Sequence, residues 1–232
     1  MSESEVQGDK TRELLEEFRS VMSGRVGWVD SIISPLLFLI LNALLGFDVA
    51  LWGSLASAAI ITAFRLLKRQ PLRYALGGFG GVLLAVLIAR LAGGAQGFFL
   101  PGIISGFFTT LLCLVSIVLK RPLVAWTSFL TRRWPLAWYW HPRVRPAYSE
   151  VTLIWGVFFG LRALVQFQLF QQEATGTLLG VVQLITGWPA LIILLIVSYL
   201  YGLWRLQNLA GPSVEEFKSG VEPPWVGQKR GF

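Results

Sequence analysis

The sequence predicts an all-α polytopic membrane bundle: six transmembrane helices as three hairpins, with an amphipathic amino-terminal helix and a short interfacial helix added. Three observations carry this prediction. The chain of 232 residues is 54% hydrophobic and only 14% charged, with a mean hydropathy of +0.62; a soluble domain is typically about 25% charged. Apolar runs of about 20 residues, the length that crosses a hydrocarbon core, alternate with short basic connections. The basic residues also sort to one side of that alternation, as membrane topology requires.

Three segments follow: a polar amino-terminal stretch, 1–27, a membrane domain, 28–205, and a tail, 206–232. In Asp9–Met22, Leu14, Leu15, Phe18, Val21 and Met22 share one helical face opposite charged residues, the pattern of a helix lying on a membrane or on the bundle. The acidic start and the lack of a short apolar stretch with a small-residue cleavage site speak against a secretory signal. The first span is expected at about 28–47. Asp30 is placed to cap it, and Asn42 is polar inside it. Asp48 ends a tight turn into the second span, 49–67, where Ser54 and Ala58 are small residues one turn apart.

Lys68, Arg69 and Arg73 make a basic turn, and Pro71 opens the next helix. The third span, 74–91, carries Gly77, Gly78, Gly80 and Gly81, a face suited to close backbone packing. Arg90 ends it at the level of Asp48, so an ion pair across the outer surface is geometrically allowed. Phe98 and Phe99 suit the membrane interface before the fourth span, 101–119.

The longest connection, 120–146, interleaves Lys120, Arg121, Arg132, Arg133, Arg143 and Arg145 with Trp126, Trp134, Trp138, Tyr139 and Trp140. On a soluble protein that pattern would suggest nucleic acid. Between two spans it reads as a headgroup-level segment, rings at the interface and cations on anionic lipid, with 123–131 a helix parallel to the surface.

The fifth span, 147–170, holds Arg162 near its middle, where an exposed guanidinium costs about 2.5–3.5 kcal/mol on insertion scales. Arg162 is therefore expected to face inward, with Gln166 one turn on and with Gln183 or Asn42 as neighbours. Gly156 and Gly160 form a notch for a close helix. Glu150 in the first turn is favoured by the helix dipole, near Arg145 and His141. The sixth span, 178–203, should kink at Trp188-Pro189. The tail, rich in glycine, proline and charge, reads as irregular.

Placing both termini in the cytoplasm puts all of the 20 Lys and Arg except Arg90 and Arg162 on the inner side, a nearly complete positive-inside bias. The net charge of +7 is thereby explained by topology and by contact with anionic headgroups, so nucleic acid is not an expected partner. A single cysteine, Cys113, allows no internal disulfide, and a single histidine, His141, leaves no metal framework. No nucleophile with a positioned base, no carboxylate pair and no cofactor motif is visible, so no catalytic, cofactor or metal residue is assigned and enzymatic activity is not expected.

Asp30-x4-Pro35-Leu-x-Phe38, Phe98-Phe99-Leu100-Pro101-Gly102, Lys120-Arg121-Pro122-Leu123, Trp155-x2-Phe158-Phe159-x2-Arg162 and Gly187-Trp188-Pro189 occur in that order. In this the chain resembles a bacterial family of polytopic inner-membrane proteins of unknown function, similar to the intracellular septation protein A (YciB-like) proteins. That resemblance implies a protein of the plasma membrane linked to division and envelope homeostasis, with envelope proteins as partners and no established chemistry. In septation-protein-like sequences other polar residues tend to hold the place of Arg162.

Two functions are expected from these readings. One is a structural or interaction role in the envelope, as a monomer or homo-oligomer. The alternative is a small transporter or channel with Arg162 in its path, whose charge would favour an anion.

Overall fold

The computed structural model describes residues 28–67, 72–172 and 176–232, with side chains described from Pro35 onward apart from those of Arg65 and residues 72–76. The amphipathic helix expected over 9–22 and the basic turn at 68–71 lie outside what is described, as does the side chain of Asp30, whose backbone is helical within α1. The elements in order are α1 (Trp28–Leu45), α2 (Phe47–Leu67), α3 (Leu72–Ala92), a 3-10 turn (Ala95–Phe99) and α4 (Leu100–Val118). They continue with α5 (Leu123–Arg132), α6 (Leu136–Tyr139), α7 (Arg145–Gln171), α8 (Gly176–Ile185), α9 (Trp188–Asn208) and α10 (Val214–Ser219). Among the described residues there is no strand.

Four helical stretches are long and apolar enough to cross a membrane: Phe47–Phe64, Ala95–Val118, Arg145–Gln171 and Gly176–Asn208. Shorter apolar stretches, Pro35–Leu45 and Gly77–Ala92, lie within α1 and α3. The sequence reading counts six spans; four meet that standard among the described residues. Their outward faces are apolar: Leu153, Val157, Leu161 and Leu164 on α7 and Ile193, Ile196 and Leu200 on α9 are exposed. An apolar surface of that extent is out of place in water and suited to lipid.

The chain divides into two compact units, Met1–Pro101 with Glu173–Leu184, and Gly102–Gln172 with Ile185–Phe232. In the first, α1 and α2 form a hairpin whose turn is Gly46, at φ +87°. Only glycine adopts that conformation freely. The turn therefore sits before the position read from the sequence, and Asp48 falls in the first turn of α2. Ala50, Ser54 and Ala58 are buried at four-residue spacing on α2, a small-residue seam of the kind that lets helices approach.

Phe98 and Phe99, expected at the interface, are buried instead. Phe38 stacks on Phe98 with centroids 4.0 Å apart, and Phe99 meets both edge-on at 5.7 and 5.3 Å. The 3-10 turn folds the pair back over α3, where Gly97 comes so close that a Cβ there would lie 2.9 Å from the Ala89 Cα. α8 joins this core through Gly180, where a Cβ would meet Leu39 and Phe99. Among the described residues a Cβ at Gly77, Gly78, Gly80 or Gly81 would meet nothing within 4 Å, so no described element packs closely on that face, and the helix runs through it unbroken.

In the second unit α4 and α7 pack through small residues. A Cβ at Gly106 would lie 3.0 Å from the Ala163 Cβ, and Cβ atoms at Gly156 and Gly160 would each lie 3.3 Å from Cys113 and Thr110. The notch read at Gly156 and Gly160 is thus filled by α4. The single kinked sixth span is two helices: α8 ends at Ile185, and α9 starts at Trp188 with Pro189 in its first turn.

Candidate functional site

Two features of the second unit bring polar chemistry together. The first is a set of polar rungs between α7 and α9. At one end Arg205 grips Glu150 with two bonds, Nε to Oε2 at 2.7 Å and Nη2 to Oε1 at 2.9 Å, and Tyr201 donates to the same Oε2 at 2.8 Å. Further along, Trp155 Nε1 donates to Ser198 Oγ at 2.8 Å. At the far end Gln166 Nε2 donates to Thr186 Oγ1 at 3.2 Å. Rising ~1.5 Å per residue, α7 climbs about 24 Å from Glu150 to Gln166, and α9 climbs about 26 Å from its start at Trp188, just after Thr186, to Arg205. Both approach the ~30 Å thickness of a hydrocarbon core. The rungs therefore fix the register of two antiparallel membrane-length helices from end to end.

The second feature is an aromatic knot at the Glu150 end, built from the connection 120–146 and the tail. Trp138, Tyr139 and Tyr148 are fully buried, with Val124, Ala125, Val144, Ala147, Val151, Leu206 and Val214 around them. Two of the three polar tips are met: Trp138 Nε1 donates to Pro212 O at 2.9 Å, and Tyr139 Oη shares a bond with Ser128 Oγ at 3.2 Å, while the buried Tyr148 Oη has no hydrogen-bond partner among the described residues. Burial raises the Tyr139 phenol above its usual range, against the lesser pull of Ser128 and Arg132. Trp138 and Tyr139 were expected at the lipid interface. They are interior because the tail returns across them.

That tail is ordered, contrary to its irregular appearance in the sequence. Ser213 and Glu216 cap α10 reciprocally. The Glu216 carboxylate also accepts from the backbone N–H of Val226 at 2.7 Å and of Gly227 at 3.2 Å. Bonds from Ser213 and Val226 lead in holding its pKa down to about 2. Beyond it, Phe232 stacks on Tyr148 at 4.4 Å and 9°, and Arg132 Nε donates to the Phe232 carbonyl at 3.0 Å. Three guanidinium groups lie over indole rings on the knot's surface: Arg121 on Trp140 at 4.4 Å, Arg132 on Trp134 at 4.9 Å and Arg143 on Trp225 at 5.5 Å. His141 packs edge-on to Trp225 and Phe217. Burial first, and then the Arg143 charge, lowers its pKa.

The residues singled out from the sequence are placed as follows. Asp48 and Arg90 form their pair, Oδ1 to Nη1 at 2.8 Å, with both side chains exposed. Arg162 and Gln166 belong to the second unit; Asn42 and Gln183 belong to the first. Gln166 is 1% exposed and Arg162 half-buried. Gln183 has a buried, unpartnered Oε1. Glu150 pairs with Arg205 and not with Arg145 or His141. Sequence reasoning missed that pair, although both residues end spans at one level with opposite charge. It also missed Trp155 with Ser198, for which the sequence carries no signal beyond a polar atom in each span. Among the described residues no three of His, Cys, Asp and Glu come together as a metal site would need.

An all-helical chain with membrane-length apolar helices tied by internal polar rungs is, by class, a helical membrane protein. Residues 22–206 match the model of a family described as protein of unknown function (DUF3159), and the chain belongs to that family. No curated protein and no solved structure matches it.

Proposed function

We propose that this is an integral protein of the bacterial plasma membrane, six spans with both termini cytoplasmic, that acts by contact and not by catalysis. Its working surface is the aromatic knot, held against anionic headgroups at the inner face. The observation that supports this most is the set of guanidinium–indole pairs at Arg121, Arg132 and Arg143 around a closed aromatic core. Indole rings and cations share the headgroup level, and each basic side chain there contributes about 1 kcal/mol of attraction to anionic lipid. The septation-protein resemblance adds an envelope role, with division proteins as partners.

Lipid retained by protein purified in a mild detergent tests the surface. Wild type should retain phosphatidylglycerol over phosphatidylethanolamine. Reversing the exposed Arg121, Arg133 and Arg143 to Glu should sharply reduce that preference; an unchanged lipid profile would count against the reading. Solute passage past Arg162 is the second reading, favoured by the buried, unpartnered oxygen of Gln166.

A further inference from the structure

α9 begins inside the apolar stretch 176–208, immediately after Thr186 and Gly187. A helix start leaves the N–H groups of its first turn without intrahelical partners and carries the positive end of the helix dipole. Leu191 N to Gly187 O, at 2.9 Å, is the first bond back to the cap, and Pro189 has no N–H to give. Bare N–H groups at that depth need an acceptor, because hydrocarbon supplies none.

Gln166 supplies the second, independent observation. It is 1% exposed, its Nε2 reaches Thr186 Oγ1 beside the helix start, and its Oε1 has no partner. Nε2 carries two protons and gives one to Thr186. The amide thus brings both a spare donor and an orphaned acceptor to this point. An orphaned buried acceptor costs about 1–3 kcal/mol, which a ligand bearing an O–H would relieve. Arg162 adds the charge. Trp155, Arg162 and Gln166 stand at i, i+7 and i+11 and so share one stripe of α7, the stripe whose other two members bond Ser198 and Thr186. Among the described residues no carboxylate pairs with Arg162.

From these placements we infer that Arg162, Gln166 and the first turn of α9 form a binding site for a singly charged oxyanion that also carries a hydroxyl. One guanidinium balances one negative charge. The N–H groups of α9 and Gln166 Nε2 donate to the oxyanion, and Gln166 Oε1 accepts from its hydroxyl. Inorganic phosphate as the monoanion has this chemistry, and so does the glycerol phosphodiester headgroup of phosphatidylglycerol, which the membrane's far leaflet would present. The site sharpens the second reading above in placing Arg162 beside a polar path, but it requires no transport. Its failure would leave the headgroup contact at the knot untouched, since that is read with different variants.

Full-length protein carrying Arg121→Glu, Arg133→Glu and Arg143→Glu, so that the knot contributes no anion binding, would be delipidated in neutral detergent and titrated by calorimetry with inorganic phosphate in mildly acidic buffer and, separately, with short-chain phosphatidylglycerol. Saturable binding of either is expected, and which one binds names the source. Arg162→Gln should abolish it, Arg162→Lys should retain it in weakened form, and Gln166→Leu should weaken it roughly ten-fold. Formate, which lacks the hydroxyl, should bind roughly ten-fold more weakly than phosphate. Size exclusion checks that each variant is intact, and Arg162→Lys, which keeps the charge, separates loss of the site from loss of the fold. No saturable binding of either probe, or binding that survives Arg162→Gln, would overturn the site; formate binding as tightly as phosphate would overturn the role of Gln166 Oε1.

Discussion

Gly202→Ala is the sharpest test of the knot. Gly202 lies on α9 under the Phe232 ring, and a Cβ there would sit 2.4–2.5 Å from three ring atoms. No Cβ tolerates that distance, so the ring must leave its stack on Tyr148. The loss is the burial of a phenylalanine side chain, about 1.5–3 kcal/mol, plus about 0.5–1.5 kcal/mol for the aromatic pair. Against it stands about 1 kcal/mol gained from replacing glycine by alanine within a helix. Gly202→Ala should therefore destabilise the protein by about 1–3.5 kcal/mol, toward the lower end because Phe232 is only partly buried. In a Phe232→Ala background the clash is absent and the helix gain remains, so the same substitution should be neutral or stabilising by up to about 1 kcal/mol. Thermal unfolding of the four proteins in detergent, followed by near-ultraviolet circular dichroism, reads the cycle. Equal destabilisation by Gly202→Ala in both backgrounds would refute the placement of Phe232.

Other outcomes follow from the same structure. Arg205→Met should cost about 2 kcal/mol, between the ~0–1 of exposed pairs and the ~3–5 of buried ones, because the two side chains of the pair are 31% and 33% exposed. Adding Glu150→Leu should recover most of that loss, and thermal midpoints check both. Arg90→Ala breaks a pair whose side chains are 60% and 75% exposed, and should shift stability by no more than about 1 kcal/mol in the same assay. Glu216 has a folded pKa of about 2, below the usual value of 4.5. Its contribution should be complete above the usual value, fade as pH falls and vanish near the folded one. Protease sensitivity of the tail should rise over that window in wild type and be high at every pH in Glu216→Ala.

Most of the helices could be read from the sequence because the hydrocarbon core sets a length that any apolar run displays. Leu123–Arg132 was readable for a different reason: prolines at 122 and 135 bracket it. What could not be read depends on chain that returns from far away. Trp138 and Tyr139 look interfacial until residues 207–232 cover them. Phe98 and Phe99 look interfacial until the 3-10 turn lays them on Phe38. The glycines at 77–81 look like a packing face, but composition cannot say whether a partner helix is present. At the candidate site, Arg162 and Gln166 stood out as polar residues in an apolar span. Thr186 and the start of α9 did not, since Trp188-Pro189 reads equally well as a kink or as a new helix. The Asp48–Arg90 pair was legible because both ends are fixed by helix lengths.

The most direct test of the whole arrangement is the side of the membrane on which each end of the α7–α9 pair lies. Cys113 is fully buried, so exposed Gln172 and Lys218 can be changed singly to cysteine and probed on intact spheroplasts with an impermeant maleimide. Gln172→Cys should label at once, and Lys218→Cys only after permeabilisation. Labelling of Lys218→Cys from outside, or of both positions from the same side, would contradict a membrane-crossing pair with its basic aromatic knot in the cytoplasm.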